Sequence, residues 1–284
     1  MAESLKRIKN RIKSVQGVEK LTAAMKMISA SKLKSFQKEL ALSNDYFSRV
    51  EAMLKNTLSS CNMPGNRFLQ PRPAKGKIAV CVIASDRGLC GSYNNNILNY
   101  TQDFIRINAA KDIKLITVGG KALRYFKKRG FTPVDSYVDL YGRYSGQVKD
   151  DITKKLTSFF LNEEADEIYL AYTNFISGSR HRPVIEKILN IEVPKGEETE
   201  YITEPGFDGI LERLIPLYLS EKIRHIILSA FTSEHAMRLM AMSEATDNAG
   251  ELLEGLVLLR NKIRQASITT ELIEVISSVS AMKG

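Results

Sequence analysis

The sequence predicts an α/β body held between two long terminal helices that pair as an antiparallel coiled coil. Three observations lead there. Both ends of the chain space apolar residues alternately by three and four, the period of a helix packed on another helix. The middle alternates short apolar runs with amphipathic stretches, the pattern of a mainly parallel sheet covered by helices. Two segments rich in proline or glycine, 61–76 and 199–208, separate these parts as linkers.

The first helix is expected over residues 1–60. Leu5, Ile8, Ile12 and Val15 follow the three-four spacing. Val18, Leu21, Met25 and Ile28 repeat it after a slip of one residue, and Leu33, Phe36, Leu40, Ser43, Phe47, Val50 and Leu54 continue as a sustained seam. Such slips predict local changes of supercoil rather than a regular zipper. No proline occurs before Pro64, and Gly17 is a single weak point, costing about 1 kcal/mol relative to alanine.

Residues 77–198 form the predicted body. The run 77–84 (KIAVCVIA) reads as a buried strand, Tyr93 to Ile107 as a helix, and Ile113–Val118 as a second strand. Gly119-Gly120 then opens a short helix to Lys128, Thr132–Val138 is a third strand, Val148–Leu161 a helix, and Glu167–Tyr172 another buried strand. A further strand is expected around Val184–Val193, ended by Pro194-Lys195-Gly196. This order of elements predicts a Rossmann-like sheet.

The second long helix is expected over 209–284, with Asp208 as its cap and a kink or break at Pro216. From Met242 its seam reads Met242, Ala245, Ala249, Leu252, Leu256, Leu259, Ile263, Ala266 and Ile273. Gly250 and Gly255 are expected to admit a close partner. At 1.5 Å per residue the two helices measure on the order of 80 and 100 Å. A body with a radius of gyration of roughly 15 Å cannot accommodate both along its surface, so they are expected to project and to bury their stripes on each other.

Composition narrows the function. The chain has 284 residues, 44% of them hydrophobic, and a net charge of +9. No run of about 18 apolar residues is present to span a membrane, and the amino terminus lacks a secretory apolar stretch. The chain is therefore expected to be a mature protein on the cytosolic side. Positive charge clusters between Glu3 and Lys38, opposed there only by Glu3 and Glu19; nucleic acid, anionic lipid or an acidic protein surface would each complement it. Cys61, Cys81 and Cys90 form no metal or redox motif, Cys81 reads as a core residue, and His181, His225 and His235 are scattered.

The loop after the first strand, ASDRGLCG (84–91), invites a nucleotide reading. Its spacing matches neither phosphate-binding glycine pattern, and Asp86 would set a negative charge beside the phosphates. A tight strand-to-helix turn using Gly88 and Gly91 is the expected role, with Asp86 and Arg87 in a polar contact. No nucleophile-and-base set stands out, and the carboxylates Glu163, Glu164, Asp166 and Glu167 read as solvated. No catalytic residue, metal ligand or cofactor site is expected. A nucleotide-binding α/β enzyme and a basic coiled-coil scaffold for nucleic acid remain as alternatives at this stage.

Three segments resemble the gamma subunit of F-type ATP synthases, the central stalk, in its bacterial form. They are IKSVQGVEKLTAAMKMISASKLK (12–34), SDRGLCG (85–91), and the pair SEHAMRLMAMSEATDNAGEL (233–252) with RQASITTELIEVIS (264–277). Order and spacing match along essentially the whole chain. The resemblance implies a non-catalytic rotor shaft whose terminal helices turn inside a ring of alpha and beta subunits. Its foot would sit on the membrane c-subunit ring and hold the epsilon subunit, with no nucleic acid and no nucleotide bound directly. The implied location is the cytoplasmic face of the bacterial inner membrane. It further implies that Met25 and Lys26, with Arg264, Gln265, Thr269 and Glu271 on a facing stretch, contact an acidic catch loop of the beta subunits. In that reading Asp86, Arg87, Gly88 and Gly91 form a structural turn of the foot. Ser278-Val279 departs from the Gly-Ala usual in the family, and the regulatory dithiol of the plastid branch is not present.

Overall fold

The computed structural model describes residues 2–59, 66–69, 76–191 and 206–282. Helix α1, Ala2–Ser59, and helix α5, Phe207–Met282, are the two long helices. Between them lie strand β1 (Lys77–Ile83), helix α2 (Tyr93–Ile107), strand β2 (Asp112–Val118), helix α3 (Gly120–Lys127), strand β3 (Asp135–Tyr137), helix α4 (Gly146–Leu161), and strands β4 (Glu167–Phe175) and β5 (His181–Leu189). Cys61 and the segments 61–65, 70–75 and 192–205, which hold most of both expected linkers, lie outside the described residues, as does the Asp208 side chain expected to cap α5.

The chain divides into two compact units, 30–238 and a second made of 1–29 with 239–284. In the first unit the sheet order is β3-β2-β1-β4-β5. Strands β1 to β4 run parallel and β5 returns antiparallel to β4. β1 is central and buried from Ile78 onward, as its unbroken apolar run requires of a strand covered on both faces. On one face α2 and α3 enclose Ile97, Leu98, Ile105, Ala122 and Phe126 against Ile78, Val80 and Val82. On the other, α4 and the stretches of α1 and α5 in this unit share a larger core, in which Phe36, Leu40, Leu54, Phe160, Leu211 and Phe231 meet the sheet. Phe36 meets Phe231 edge-on at 5.9 Å, and Phe47 stacks on Tyr218 at 5.7 Å. From the segment 66–69, Phe68 stacks on Phe160 at 5.8 Å.

Several expectations shift. The third strand shrinks to Asp135–Tyr137 and β5 begins earlier, at His181, because the turn near Gly178 closes a hairpin whose register, Phe175 to His181, the pleat then dictates. Helix α5 runs unbroken through Pro216. Leu211, Leu214, Ile215 and Leu219 are buried around that turn, and their packing outweighs the lost backbone bond. The carboxylates expected to be solvated are engaged: Glu164 pairs with Lys114, Glu167 with Lys187 at 3.0 Å, and the buried Asp166 accepts the Lys77 N–H at 3.1 Å.

The seams also differ from the apolar pattern. Burial along α1 falls on Ile12, Thr22, Ser29, Leu33, Phe36, Leu40, Ser43, Val50, Leu54 and Leu58, with Leu5, Ile8, Val15, Glu19, Met25, Lys26 and Phe47 half-buried. That is an uninterrupted heptad, so the predicted slip does not occur. Val18, Leu21 and Ile28 are exposed at 52%, 60% and 59%. In α5 the seam is Met242, Thr246, Ala249, Leu253, Leu256, Arg260, Ile263, Ser267 and Thr270, while Leu252, Leu259 and Ile273 face outward. A Cβ built on Gly250 or Gly255 meets nothing within 4 Å, so neither glycine has a close neighbour among the described residues.

Candidate functional site

Two places carry the residues singled out in the sequence. The first is the β1–α2 turn. β1 delivers Asp86 to the carboxyl edge of the parallel strands, beside the amino terminus of α3. There Asp86 Oδ1 accepts the N–H groups of Gly120 at 2.8 Å and Asp139 at 3.0 Å, and Oδ2 accepts that of Tyr141 at 2.7 Å. Backbone donors converging at a helix start form an anion site. Here the anion is the protein's own carboxylate. The Arg124 guanidinium donates to the Asp86 carbonyl at 3.2 Å, and Arg87 lies over the Tyr141 ring at 4.5 Å.

Around this hub the turn is closely fitted. The Ser85 N–H and hydroxyl both donate to Asn94 Oδ1, at 3.0 and 2.9 Å. Gly91 adopts φ 56 and Gly119 φ 94. A Cβ on Gly119 would stand 2.2 Å from the Ala84 carbonyl oxygen, so only glycine fits. Gly88 has ordinary space, with the Lys121 ammonium 3.6 Å from a built Cβ. Burial pushes up both the Cys90 thiol and the Cys81 thiol, the latter to about 12, so neither is poised as a nucleophile.

The loop 139–142 links this turn to the long helices within the same unit. Tyr141 gives its N–H to Asp86 and its carbonyl to the Lys32 ammonium of α1 at 3.0 Å. The Gly142 carbonyl accepts from His235 Nε2 of α5 at 3.3 Å. His235 Nδ1 accepts from Arg238 at 3.2 Å, its ring stacks on Phe36 at 5.5 Å, and Arg238 holds Glu234 at 2.7 Å. Burial drives the His235 pKa down to about 4, keeping the ring neutral and able to accept from Arg238. Burial also raises Glu234, against the opposing pull of Arg238. The Tyr93 hydroxyl donates to the Ala230 carbonyl at 3.1 Å. By sequence the three histidines are merely scattered, and this cluster does not stand out. The signal lay in SEHAMR, where Glu234 and Arg238 stand four apart on one helical face in an apolar stretch.

The second place is the unit made of 1–29 and 239–284. Its helices pair through the heptad positions above, and Thr246 Oγ1 donates to Thr22 Oγ1 at 2.9 Å. That contact fixes an antiparallel register. Met25 and Lys26, both half-buried, then lie beside the Met242 turn of α5. At 1.5 Å per residue Arg264 lies roughly 30 Å further along, opposite about residue 4. The expected facing of Met25 and Lys26 by Arg264, Gln265, Thr269 and Glu271 therefore does not occur: the register separates the two groups. Arg264, Gln265, Thr269 and Glu271 are exposed, and from Glu271 to Val279 every residue of α5 is exposed, including Leu272, Ile273, Val275 and Ile276.

A family model described as ATP synthase matches residues 4–282. The chain is 35% identical over 277 residues to the ATP synthase gamma chain of Clostridium botulinum, covering 97% of each protein. It is 34% identical to the ATP synthase gamma chain of Fusobacterium nucleatum, covering 98% of this chain and 99% of that one. Among solved structures, a chain of the Euglena gracilis mitochondrial ATP synthase in rotational state 3 shares the fold at a TM-score of 0.70 and 17% identity, covering 99% of this chain and 95% of that one. A chain of the Tetrahymena thermophila mitochondrial ATP synthase central stalk and c-ring structure aligns at a TM-score of 0.62 with 22% identity, covering 79% of this chain and 99% of that one. Near-full-length identity above 30% and a family match across both long helices and the sheet place this chain in the ATP synthase gamma chain family.

Proposed function

We propose that the chain is the central rotor shaft of an F-type ATP synthase, passing torque between a membrane ion-driven ring and a catalytic alpha–beta hexamer. One observation beyond family membership carries this reading. The last part of α5 presents a row of exposed apolar residues, from Leu272 to Val279, on a stretch of that helix that nothing covers among the described residues. Apolar surface of that extent marks a protein–protein contact, and a shaft end held in a low-friction collar needs a slippery apolar face rather than fixed ion pairs. Basic side chains along α1 add attraction to an acidic collar.

The subunit has no active site of its own in this reading. The donors that would cradle a phosphate are taken by Asp86, which supports a structural turn at Asp86, Arg87, Gly88 and Gly91. Lys26 and Arg264 contact acidic groups of the beta subunits at two separate levels of the shaft. Epsilon and the c-subunit ring engage the α/β body, and the subunit is peripheral on the cytoplasmic face of a bacterial membrane. Among the described residues no helix is long and apolar enough to cross a membrane. Co-expression with the cognate alpha and beta subunits tests the reading. Recovery of one copy per three alpha–beta pairs, with ATP hydrolysis that stops when the chain is cross-linked to beta, is the expected result. Hexamers that form without this chain and ignore its addition would refute it.

A further inference from the structure

Both ring nitrogens of His235 are engaged, whereas Nδ1 of His181 and Nδ1 of His225 have no partner among the described residues. The arginine facing His235 Nδ1 can only donate, so Nδ1 is the bare acceptor and the proton sits on Nε2, which donates to the Gly142 carbonyl. A second proton has only Nδ1 to go to. There it would meet the Arg238 guanidinium at 3.2 Å, cation against cation.

The surroundings offer a second arrangement. Arg238 holds Glu234 through Oε1 at 2.7 Å, and the buried Oε2 has no hydrogen-bond partner among the described residues. That oxygen can accept the guanidinium N–H that a protonated His235 rejects, making the Glu234–Arg238 pair bidentate. On the other side of the ring, Gly142 covers Nε2. A Cβ at Gly142, which adopts φ 59, would stand 2.6 Å from that nitrogen. Gly142 is buried, yet Asp139, Tyr141 and Arg143 around it are exposed, so the cover is a thin loop with water beyond it. After burial itself, Arg238 of α5 and Lys32 of α1 oppose a charge on the ring. Glu234 of α5 is the carboxylate beside them. Asp86 and Arg87 of the β1–α2 turn and Arg143 of the loop act on Glu234 and Lys32, while burial keeps Tyr93 of α2 and Cys90 of the turn neutral.

We propose that this cluster is a proton-released latch: protonation of His235 passes Arg238 wholly to Glu234 and frees the loop 139–142 from α5. The same loop holds Asp86 through the Tyr141 N–H and α1 through Lys32, so its release loosens the β1–α2 turn from the long helices of that unit. On the rotor reading, torque transfer softens as the surroundings acidify; the latch itself does not rest on that reading. Its size follows from linkage. The closed ring takes its proton near pH 4 and a released one near the ordinary value of about 6.5. The closed loop is therefore fully favoured above about pH 6.5 and loses ground below it, the open-to-closed ratio rising about tenfold from pH 7.5 to 5.5.

Hydrogen–deuterium exchange of the full chain, read by mass spectrometry and corrected for intrinsic pH dependence, tests this. Asp139, Tyr141 and Arg143 donate backbone hydrogen bonds in the loop, so its peptides report opening. The expected result is an about tenfold rise in opening of 139–143 between pH 7.5 and 5.5, with β1 still protected. In His235→Gln the side chain can still donate and accept but cannot be charged, and the rise should vanish. Gly142→Ala, which drives a Cβ into the ring, should leave the loop open at every pH. The proposal is overturned by loop exchange that stays level with pH in the unsubstituted chain, that rises equally in His235→Gln, or that rises only together with β1. Failure to assemble with alpha and beta subunits would count against the rotor reading alone.

Discussion

Asp86 shows how one side chain decides what a loop can do. Its carboxylate gathers three backbone N–H groups from two other loops, so removing it leaves those donors without an acceptor. Asp86→Ala is expected to cost about 1–3 kcal/mol in urea unfolding, discounted because the hub is partly open to water. Asp86→Asn should recover part of this, since its one remaining oxygen can still accept. Arg264 is a different kind of residue, exposed and without an ion pair among the described residues. Arg264→Glu should leave the melting temperature of the chain unchanged, yet lower proton-driven ATP synthesis by the assembled complex several-fold, a change of about 1 kcal/mol in a transient contact. Unaltered synthesis in that variant would remove Arg264 from the proposed beta-subunit contact.

At the scale of elements, the long helices are held by what their heptads bury. Phe36 packs on Phe231 and His235, and Phe36→Ala should cost about 3–5 kcal/mol by opening a cavity in that core. Leu21, with equal claim by hydropathy, is 60% exposed. Leu21→Ser should change stability by less than about 0.5 kcal/mol; a large loss would show that the seam had been misplaced. Helix α5 also carries the buried Glu234–Arg238 pair, with side chains 3% and 9% exposed. Glu234 Oε2 has no hydrogen-bond partner among the described residues, so Arg238 is its main compensation. Arg238→Ala is expected to destabilise by about 3–5 kcal/mol because it strands a buried charge. Replacing Glu234 by Gln in that background should restore part of the loss in the same thermal melts.

For the molecule as a whole, the buried histidines set an acid limit. Burial depresses both His235 and His225, so the unfolded chain binds these protons more readily than the native one. Stability from a group with a lowered histidine pKa is complete above about 6.5 and is lost as pH falls toward the folded value, about 4 for His235. Glu234, raised by burial, has the opposite sign: its native carboxyl takes a proton more readily, which partly offsets the loss at acid pH. The net expectation is a stability that declines between about pH 6.5 and 4, with the slope reduced in His235→Gln. Chemical denaturation at stepped pH reads this directly. An unchanged slope in that variant would mean that the ring is already protonated when folded.

Much of the fold was legible from order and period alone. Strand β1, helix α2 and the ends of both long helices fall within a residue or two of where spacing put them, because sustained three-four spacing and the absence of early proline leave few alternatives. The turn at 85–91 reads apart from phosphate-binding loops by its spacing and by Asp86, and the structure sets that carboxylate on the backbone donors of Gly120, Asp139 and Tyr141. What local sequence left open was which of two neighbouring stripes each long helix buries. Thr22 and Ser29 are in the seam while Leu21 and Ile28 are out, and only the partner helix decides that, since burial belongs to a pair of surfaces and hydropathy to one residue. The antiparallel direction of β5, the wide separation of Met25 from Arg264, and the Asp86–Tyr141–Lys32 linkage arise likewise from contacts between residues far apart in the chain. The sequence by itself determined the elements and their order; tertiary packing alone determined which faces are hidden, because free energy of burial is gained only where two shapes meet.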